Sequence, residues 1–474
     1  MDHQRHNEDS EARFQCYVEA LSRCLGHADR VGPFRSYCTG LLLPGDRKSV
    51  EPMAARLGPD RTSAEHQSLL HFVGQSPWDD KALLRAVRAS VLPAMTAHQA
   101  VEAWIVDDTG LPKKGKHSVG VARQYCGQLG KQDNCQVAVS LSVATREASL
   151  PVAWQLYLPK AWAADEARRR QARVPDEIGF QTKPEIALGQ ITEALAEGLA
   201  TGVVLADAGY GNSAAFRDGL VALGLDFVVG VSETATAWPP GMTPTVPKRS
   251  GGSGRRAKNL RRGGDDAPVS QIAALATNLP AGAWRDVTWR QGTAEELSSR
   301  FAALRVRPAQ GDHRRGEPRP EQWLLIEWPH DDGERTRFWF AALPAETPIE
   351  RLVYLAKLRW LIERDYQELK GELGLGHYEG RGWRGFHHHG ALCIAAYGFL
   401  IAEKAALPPS APKAVWLVRA PALPSRHRPR GSTGTNPAAR GIFNRNTATK
   451  DRPSPGEKLT SLPMLRTDYS CANQ

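Results

Sequence analysis

The hydrophobic rhythm of the chain changes several times along its length. Over residues 11–95 apolar positions recur at near-helical spacing. FQCYVEALSRCLG (14–26) shows this, and DDKALLRAVRASVLPAM (79–95) opens with acids and is predicted to end at Pro93. The spacing predicts a helical N-terminal domain. From residue 103 the period shortens. AWIVDDTG (103–110) is an apolar run ending in acids, and QVAVSLSVA and PVAWQLYLP alternate as strands do. VVLADAGYG (203–211) is a second apolar run ending in an acid, followed by a helix, SAAFRDGLVALG, and the strand DFVVGV. Strands alternating with helices predict an α/β sheet covered on both faces. Residues 233–335 break this pattern. A Pro/Gly/Arg-rich stretch, WPPGMTPTVPKRSGGSGRRAKNLRRGG, leads into DVTWRQG, FAALRVRPA, QWLLIEWP and, just after, RFWFAAL. These predict a largely β insertion. One long helix is then expected from near Pro348 to about Leu373. Beyond 406 the sequence turns to Pro, Arg, Ser, Thr and Asn, the composition of a disordered tail.

Charge adds less than its total suggests. The 474 residues carry a net +10 and a pI near 9.3, which points to a polyanionic partner. Yet residues 407–474 hold eleven Lys/Arg against three Asp/Glu, so +8 of the surplus lies in the tail and about +2 in the rest. The seven cysteines show no zinc spacing, and reduced thiols are the expected state. Neither a signal peptide nor an apolar run long enough to span a bilayer is evident, so a soluble, cytoplasmic protein with no membrane partner is expected. No GxxxxGK[ST] or G-x-S-x-G motif supports phosphate-loop or serine-hydrolase chemistry; Gly209 and Gly211 suit a tight turn.

Acids at a strand end are costly unless they leave the core or bind something. Asp107–Asp108 end one predicted strand and Asp207 another, at the carboxyl ends where α/β sheets gather their sites. Neighbouring strand residues point oppositely, so only one of Asp107 and Asp108 is expected to be a direct ligand. The stretch WLIERDYQELKGEL (360–373) supplies a third acid. On a helix at about 100° per residue, Leu355, Leu358, Ile362 and Leu369 form one apolar stripe with Glu363 at its border. Arg359 and Lys370 fall within about 40° of Glu363, whereas Asp365, Glu368 and Glu372 fall about 140° or more away, on the predicted outer face. Three oxygen ligands brought together suit Mg²⁺ or Mn²⁺, and two such ions would neutralise the carboxylates and clamp an in-line phosphoryl displacement.

Three segments, WIVDDTGLPKKGKHSVGVARQYCG, VLADAGYG and RWLIERDYQELKGELGLGHYEGRGWRGFHHHGAL, resemble the insertion-sequence transposases with a DDE site on an RNase H-like fold. The resemblance covers roughly residues 11–405. In those proteins the first acid usually precedes a Thr, as Asp108 precedes Thr109. The second ends a later strand, as Asp207 does. The third follows an Arg by four positions and precedes a Lys by seven, matching Arg359, Glu363 and Lys370. The tyrosine often found three residues before that Arg is replaced by Ala356, with Tyr354 nearby, and the tail beyond 406 is unlike the family.

The resemblance implies an α/β, RNase H-like mixed sheet flanked by helices. Residues 1–95 would be a helical DNA-binding domain. Residues 96–232 and 336–405 would form the catalytic domain, split by the insertion 233–335 and followed by the basic tail 406–474. It further implies Mg²⁺-dependent cleavage of DNA at transposon ends and strand transfer, with Asp108, Asp207 and Glu363 as catalytic metal ligands and Asp107 as the alternative to Asp108. Lys113, Lys114, Lys116, Arg359, Lys370, Arg381, Trp383 and Arg384 would contact DNA, and the working form would be a homodimer. A catalytically impaired DNA-binding relative that represses transposition is the alternative. His387, His388 and His389 are consecutive and point apart on a helix, a poor arrangement for metal.

Overall fold

A computed structural model describes residues 2–246, 258–260, 269–291, 296–330 and 336–406. The expected tail, and most of the Arg/Lys cluster between Lys248 and Arg262, lie outside these described residues.

Five helices come first: α1 (Asp2–Ser22), α2 (Val31–Leu42), α3 (Val50–Leu57), α4 (Thr62–Gly74) and α5 (Asp80–Thr96). Asp79 caps α5, its carboxylate accepting from the Lys81 amide. Pro93 does not end this helix. The last turn runs on to Thr96, and Met95 on it is buried in the core. Next come β1 (Ala103–Pro112), β2 (Ala122–Cys126), β3 (Lys131–Ala144) and β4 (Ser149–Leu156), then α6 (Lys160–Ala163), α7 (Glu166–Ala172) and α8 (Lys183–Ala196). A capping box between Thr182 and Glu185 starts α8. They are followed by β5 (Val203–Ala206), α9 (Ala208–Gly211), α10 (Ala214–Ala222), β6 (Phe227–Val231), β7 (Thr236–Trp238), β8 (Ser270–Gln271) and α11 (Ile272–Thr277). The strands β9 (Arg285–Gln291), β10 (Glu296–Pro308), β11 (Gln322–Trp328) and β12 (Arg337–Ala342) lead to three helices, α12 (Ile349–Leu358), α13 (Trp360–Gly371) and α14 (Trp383–Ala406).

The strands join one open, mixed sheet of RNase H-like α/β type, in the order β2-β3-β1-β5-β6-β12-β11-β10-β7-β8. The β1–β5 and β5–β6 pairs are parallel and the other pairs antiparallel. Two parallel pairs at the centre require crossovers, which α8 and then α9 with α10 supply. The strands of residues 285–328 are not a separate layer. They extend the same sheet past β12, which pairs with β6 through Phe338↔Val231 to Ala342↔Phe227.

Two expectations about the last helices are corrected. The predicted single helix is two, α12 and α13, meeting at Arg359. The predicted outer face also fails at Asp365, which is 0% exposed and accepts from Tyr397 Oη at 2.8 Å and from Ser149 Oγ. The cause is α14, a 24-residue helix buried over nearly its whole length. It covers the side of α13 that a one-helix reading leaves to water. Trp154 and Phe386 stack where β4 meets α14, and α14 reaches back to α1 through Arg13–Glu403 at 2.7 Å.

Close approach of backbones fixes α9. A Cβ at Gly211 would lie 1.9 Å from the Gly230 carbonyl oxygen on β6, whereas one at Gly189 on α8 meets nothing within 4 Å. Gly211→Ala is therefore expected to cost about 1–3 kcal/mol of overpacking strain, while Gly189→Ala is expected to be neutral or to stabilise by up to about 1 kcal/mol. Paired thermal or urea unfolding of the two variants checks this.

Candidate active site

Where β5 ends, β1 continues. The last parallel pair is Ile105↔Leu205, while β1 stays paired to β3 as far as Pro112↔Cys135. Asp107 and Asp108 thus lie inside a long strand, not at its end, beside a gap that β5 leaves in the sheet. Two residues beyond that last pair, Asp107 and Asp207 lie on the same face by strand alternation. Asp108 lies on the other.

The side chains follow this division. Asp107 Oδ2 accepts from Arg359 Nη1 at 2.8 Å, and Arg359 Nη2 reaches Glu363 Oε1 at 3.0 Å. The same face of β1 carries Ser140 across the ladder, and Ser140 Oγ meets Tyr366 Oη of α13 at 2.6 Å. Asp108 Oδ2 instead takes Lys183 Nζ at 2.7 Å and Tyr210 Oη at 3.2 Å, from α8 and α9. The structure therefore brings Asp107, rather than Asp108, together with Asp207, Glu363 and Arg359. The pleat is the physical reason, and Thr109 following Asp108 carries no information about it.

Electrostatics mark the same cluster. Burial pushes the Asp107 carboxyl up to about 7; Arg359 opposes this, and the nearby charges of Asp207 and Asp108 add to it. Burial works against the charge on Arg359, but Asp107, Asp207 and Glu363 together raise its pKa. Asp207 caps α9, its Oδ1 accepting from the Gly209 amide at 2.8 Å. Glu363 is 65% exposed in its side chain, against 13% for Asp107. Among the described residues, no three acidic, histidine or cysteine side chains are already gathered as a metal cage. The donor chemistry nevertheless fits a hard divalent cation: three carboxylates, one of them half-buried and raised, around a single guanidinium. Glu363 is held one guanidinium away from Asp107 and is free to turn on an exposed stem.

Asp207, Arg359 and Glu363 open onto a groove of about 1260 Å³. Its far wall comes from the extended sheet: Trp289, Arg290, Arg337 and Trp339 face Lys357 and Trp360. The Arg290 guanidinium lies 3.8 Å over the Trp360 ring. Sequence reasoning missed this wall, along with Lys183 and Tyr210. The signal available was Trp and Arg recurring in 285–291 and 337–342; alternation joins Arg337 and Trp339, while a register shift opposite Leu297 and Ser298 brings the adjacent Trp289 and Arg290 to one wall, which no local motif encodes.

The expected DNA contacts divide. Lys114, Lys116, Arg381 and Arg384 are exposed, Arg384 donating to the Gln75 carbonyl at 2.9 Å. Lys113 is turned inward onto the Tyr378 carbonyl at 2.6 Å, and burial lowers it to about 8. Lys370 is tied to the Gly110 carbonyl at 3.0 Å and is lowered by burial. Trp383 is 9% exposed and packs on His387, so it offers no open face for a base. The three histidines are buried, each with ring nitrogens on protein partners such as the Trp78 carbonyl for His388.

The sequence profile of the DDE superfamily endonucleases matches residues 20–296, more than half of the chain, and the chain belongs to that family. The matched stretch contains Asp107, Asp108 and Asp207 and ends before Glu363. Enzymes of this family generally work with divalent metal ions. The chain is also 32% identical over 199 residues to a protein of Microchaete diplosiphon described as "Probable transposase for insertion sequence element IS701". That match covers 42% of this chain and 48% of the relative, so the chain spans about half the length of the protein it resembles. Among the described residues no helix is long and apolar enough to cross a membrane.

Asp107 and Asp365 both sit near 7, raised chiefly by burial. A raised acid favours the folded state while it is protonated. Its contribution is full below about pH 4 and is lost as pH rises through about 7. Metal-free protein is expected to lose stability over that window, by at most about 4 kcal/mol per group. Asp365→Asn is expected to flatten the loss, and melting temperatures measured from pH 4 to 8 in EDTA check it.

Proposed function

We propose that the chain is a transposase that cuts DNA at the ends of an insertion sequence and joins them to target DNA. The supporting observation is Arg359 bridging Asp107 and Glu363 on the rim of a basic, aromatic groove that also holds Asp207. Asp107, Asp207 and Glu363 would hold Mg²⁺ or Mn²⁺, two ions in all, and Asp107 takes the place first expected of Asp108. When bound, such ions would neutralise charge on the attacking and leaving oxygens of an in-line displacement.

The chain's own residues do the positioning. Glu363 turns inward from its exposed site, which releases the Arg359 guanidinium to a phosphate oxygen, a bidentate partner of matching shape. Arg290 and Arg337 line the path of the backbone, and the tryptophans beside them suit bases. Lys370 and Lys113, tied to carbonyls, brace α13 and the loop after β1 instead of gripping DNA. Lys114, Lys116, Arg381 and Arg384 remain as phosphate contacts on the surface. In the first step a water oxygen bonds to phosphorus and the P–O3′ bond breaks, leaving a 3′-hydroxyl. In the second, that hydroxyl bonds to a target phosphorus and displaces a second 3′-oxygen. Joining two ends in one event calls for a homodimer. Helices α1–α5 are the part we assign to end recognition, and the cytoplasm, where the DNA is, is the place of action.

Asp107→Asn, Asp207→Asn and Glu363→Gln are each expected to lower Mg²⁺-dependent cutting of a duplex carrying the terminal repeats that flank the coding sequence. The loss should be more than about 100-fold, beyond the range for groups that only support a ligand. Gel-shift affinity for the same duplex should hold. Cutting by Glu363→Gln at the wild-type rate would refute the assignment. Arg290→Ala is expected to reduce the slope of log affinity against log salt by about 1.

A further inference from the structure

We propose that Asp108 is a positioning residue, the brace that holds Asp207 in place through Tyr210, with Lys183 as its countercharge. This rests on the reading above, in which Asp107 and Asp207 hold the cation, and it gives the second acid of the pair a separate task.

Lys183 and Tyr210 both bond to one oxygen, Asp108 Oδ2. Tyr210 is fully buried and belongs to α9, a single turn that begins at Asp207. Within that turn the Asp207 carbonyl accepts from the Tyr210 amide at 3.2 Å and the Gly211 amide at 2.8 Å. A shift of Tyr210 therefore carries the Asp207 backbone with it. The turn is gripped from two sides. On one, Gly211 lies directly against the Gly230 carbonyl of β6, so the helix cannot ride up. On the other, Asp108 holds the hydroxyl at the far end of the ring. Lys183 is the first residue of α8, anchored by the capping box at Thr182 and Glu185, and supplies the charge that keeps the carboxylate in place. Four residues of helix cannot set their own orientation, since one turn has almost no cooperative stability. Adjacent positions of β1 thus face opposite sides of the sheet with different tasks. Asp107 faces the cation site, and Asp108 fixes the element that carries the second ligand. Groups that orient a metal ligand typically contribute about 10–100-fold to metal affinity.

The test is Mn²⁺ binding to the full chain without DNA, read from the loss of the free-ion electron paramagnetic resonance signal. Folding is verified for each variant by its circular dichroism and cooperative melting. Tyr210→Phe and Asp108→Ala are expected to weaken Mn²⁺ binding by about 10-fold or more. Asp108→Asn keeps an acceptor carbonyl at the shared position and is expected to bind within about threefold of wild type. A role in fold stability alone would leave the Mn²⁺ affinity of the folded variants unchanged. Asp107→Asn and Asp207→Asn are expected to abolish binding. If those two abolish it while Tyr210→Phe and Asp108→Ala bind like wild type, the brace is overturned and the metal site stands. If Asp108→Asn abolishes binding and Asp107→Asn does not, Asp108 is itself the ligand and the brace is overturned. If Asp107→Asn and Asp207→Asn both bind like wild type, the metal site fails and the brace falls with it.

Discussion

Asp107 on β1 and Asp207, just past the end of the neighbouring parallel strand β5, face the same side of the sheet and must be kept together there. Packing carboxylates into a half-buried gap is unfavourable without a cation. Arg359 supplies the charge here, bridging Asp107 and Glu363. Its position follows from the chain's own geometry, because it stands at the junction where α12 gives way to α13 and is aimed back over β1. One guanidinium thus holds the end of a helix against the end of a parallel strand pair. A divalent cation would occupy the same electrostatic role.

The rest of the molecule arranges access to that point. β5 stops early and leaves β1 projecting with its acids. α14, almost wholly buried, presses α13 onto the sheet and buries Asp365 against Tyr397 and Ser149. The sheet then continues beyond β12 and supplies the tryptophan and arginine wall of the groove. The groove beside Asp207 and Glu363 is therefore framed by strands that lie between these two acids in sequence. A long intervening segment thus lines the groove through the sheet that it extends.

Much of this was legible in the sequence. Short apolar runs located β1 and β5, and β-like segments located β3, β4, β6 and the strands of 286–343, because buried and half-buried strands both concentrate apolar residues in short stretches. The apolar stripe Leu355, Leu358, Ile362 and Leu369 located the core side of the last helices. What failed had a common cause, since one element's periodicity says nothing of what packs on its other side. Asp365 read as solvated because α14 could not be seen covering it. The burial of Trp383 and the inward turn of Lys113 onto the Tyr378 carbonyl were equally hidden, because aromatic and basic residues look alike whether they face water or the interior. The sequence left Asp107 and Asp108 as alternatives, and which of them shares a face with Asp207 follows from the register Ile105↔Leu205, which no local motif encodes.

In this reading a divalent cation takes over from Arg359 beside Asp107 and is shared with Asp207. A crystal structure with Mn²⁺, located by its anomalous scattering, tests this most directly. Manganese is expected to be ligated by Asp107 and Asp207, with Glu363 turned in and Arg359 withdrawn from Asp107. Manganese held by Asp108, or an undisturbed Arg359 bridge with no metal beside Asp207 at saturating Mn²⁺, would contradict it.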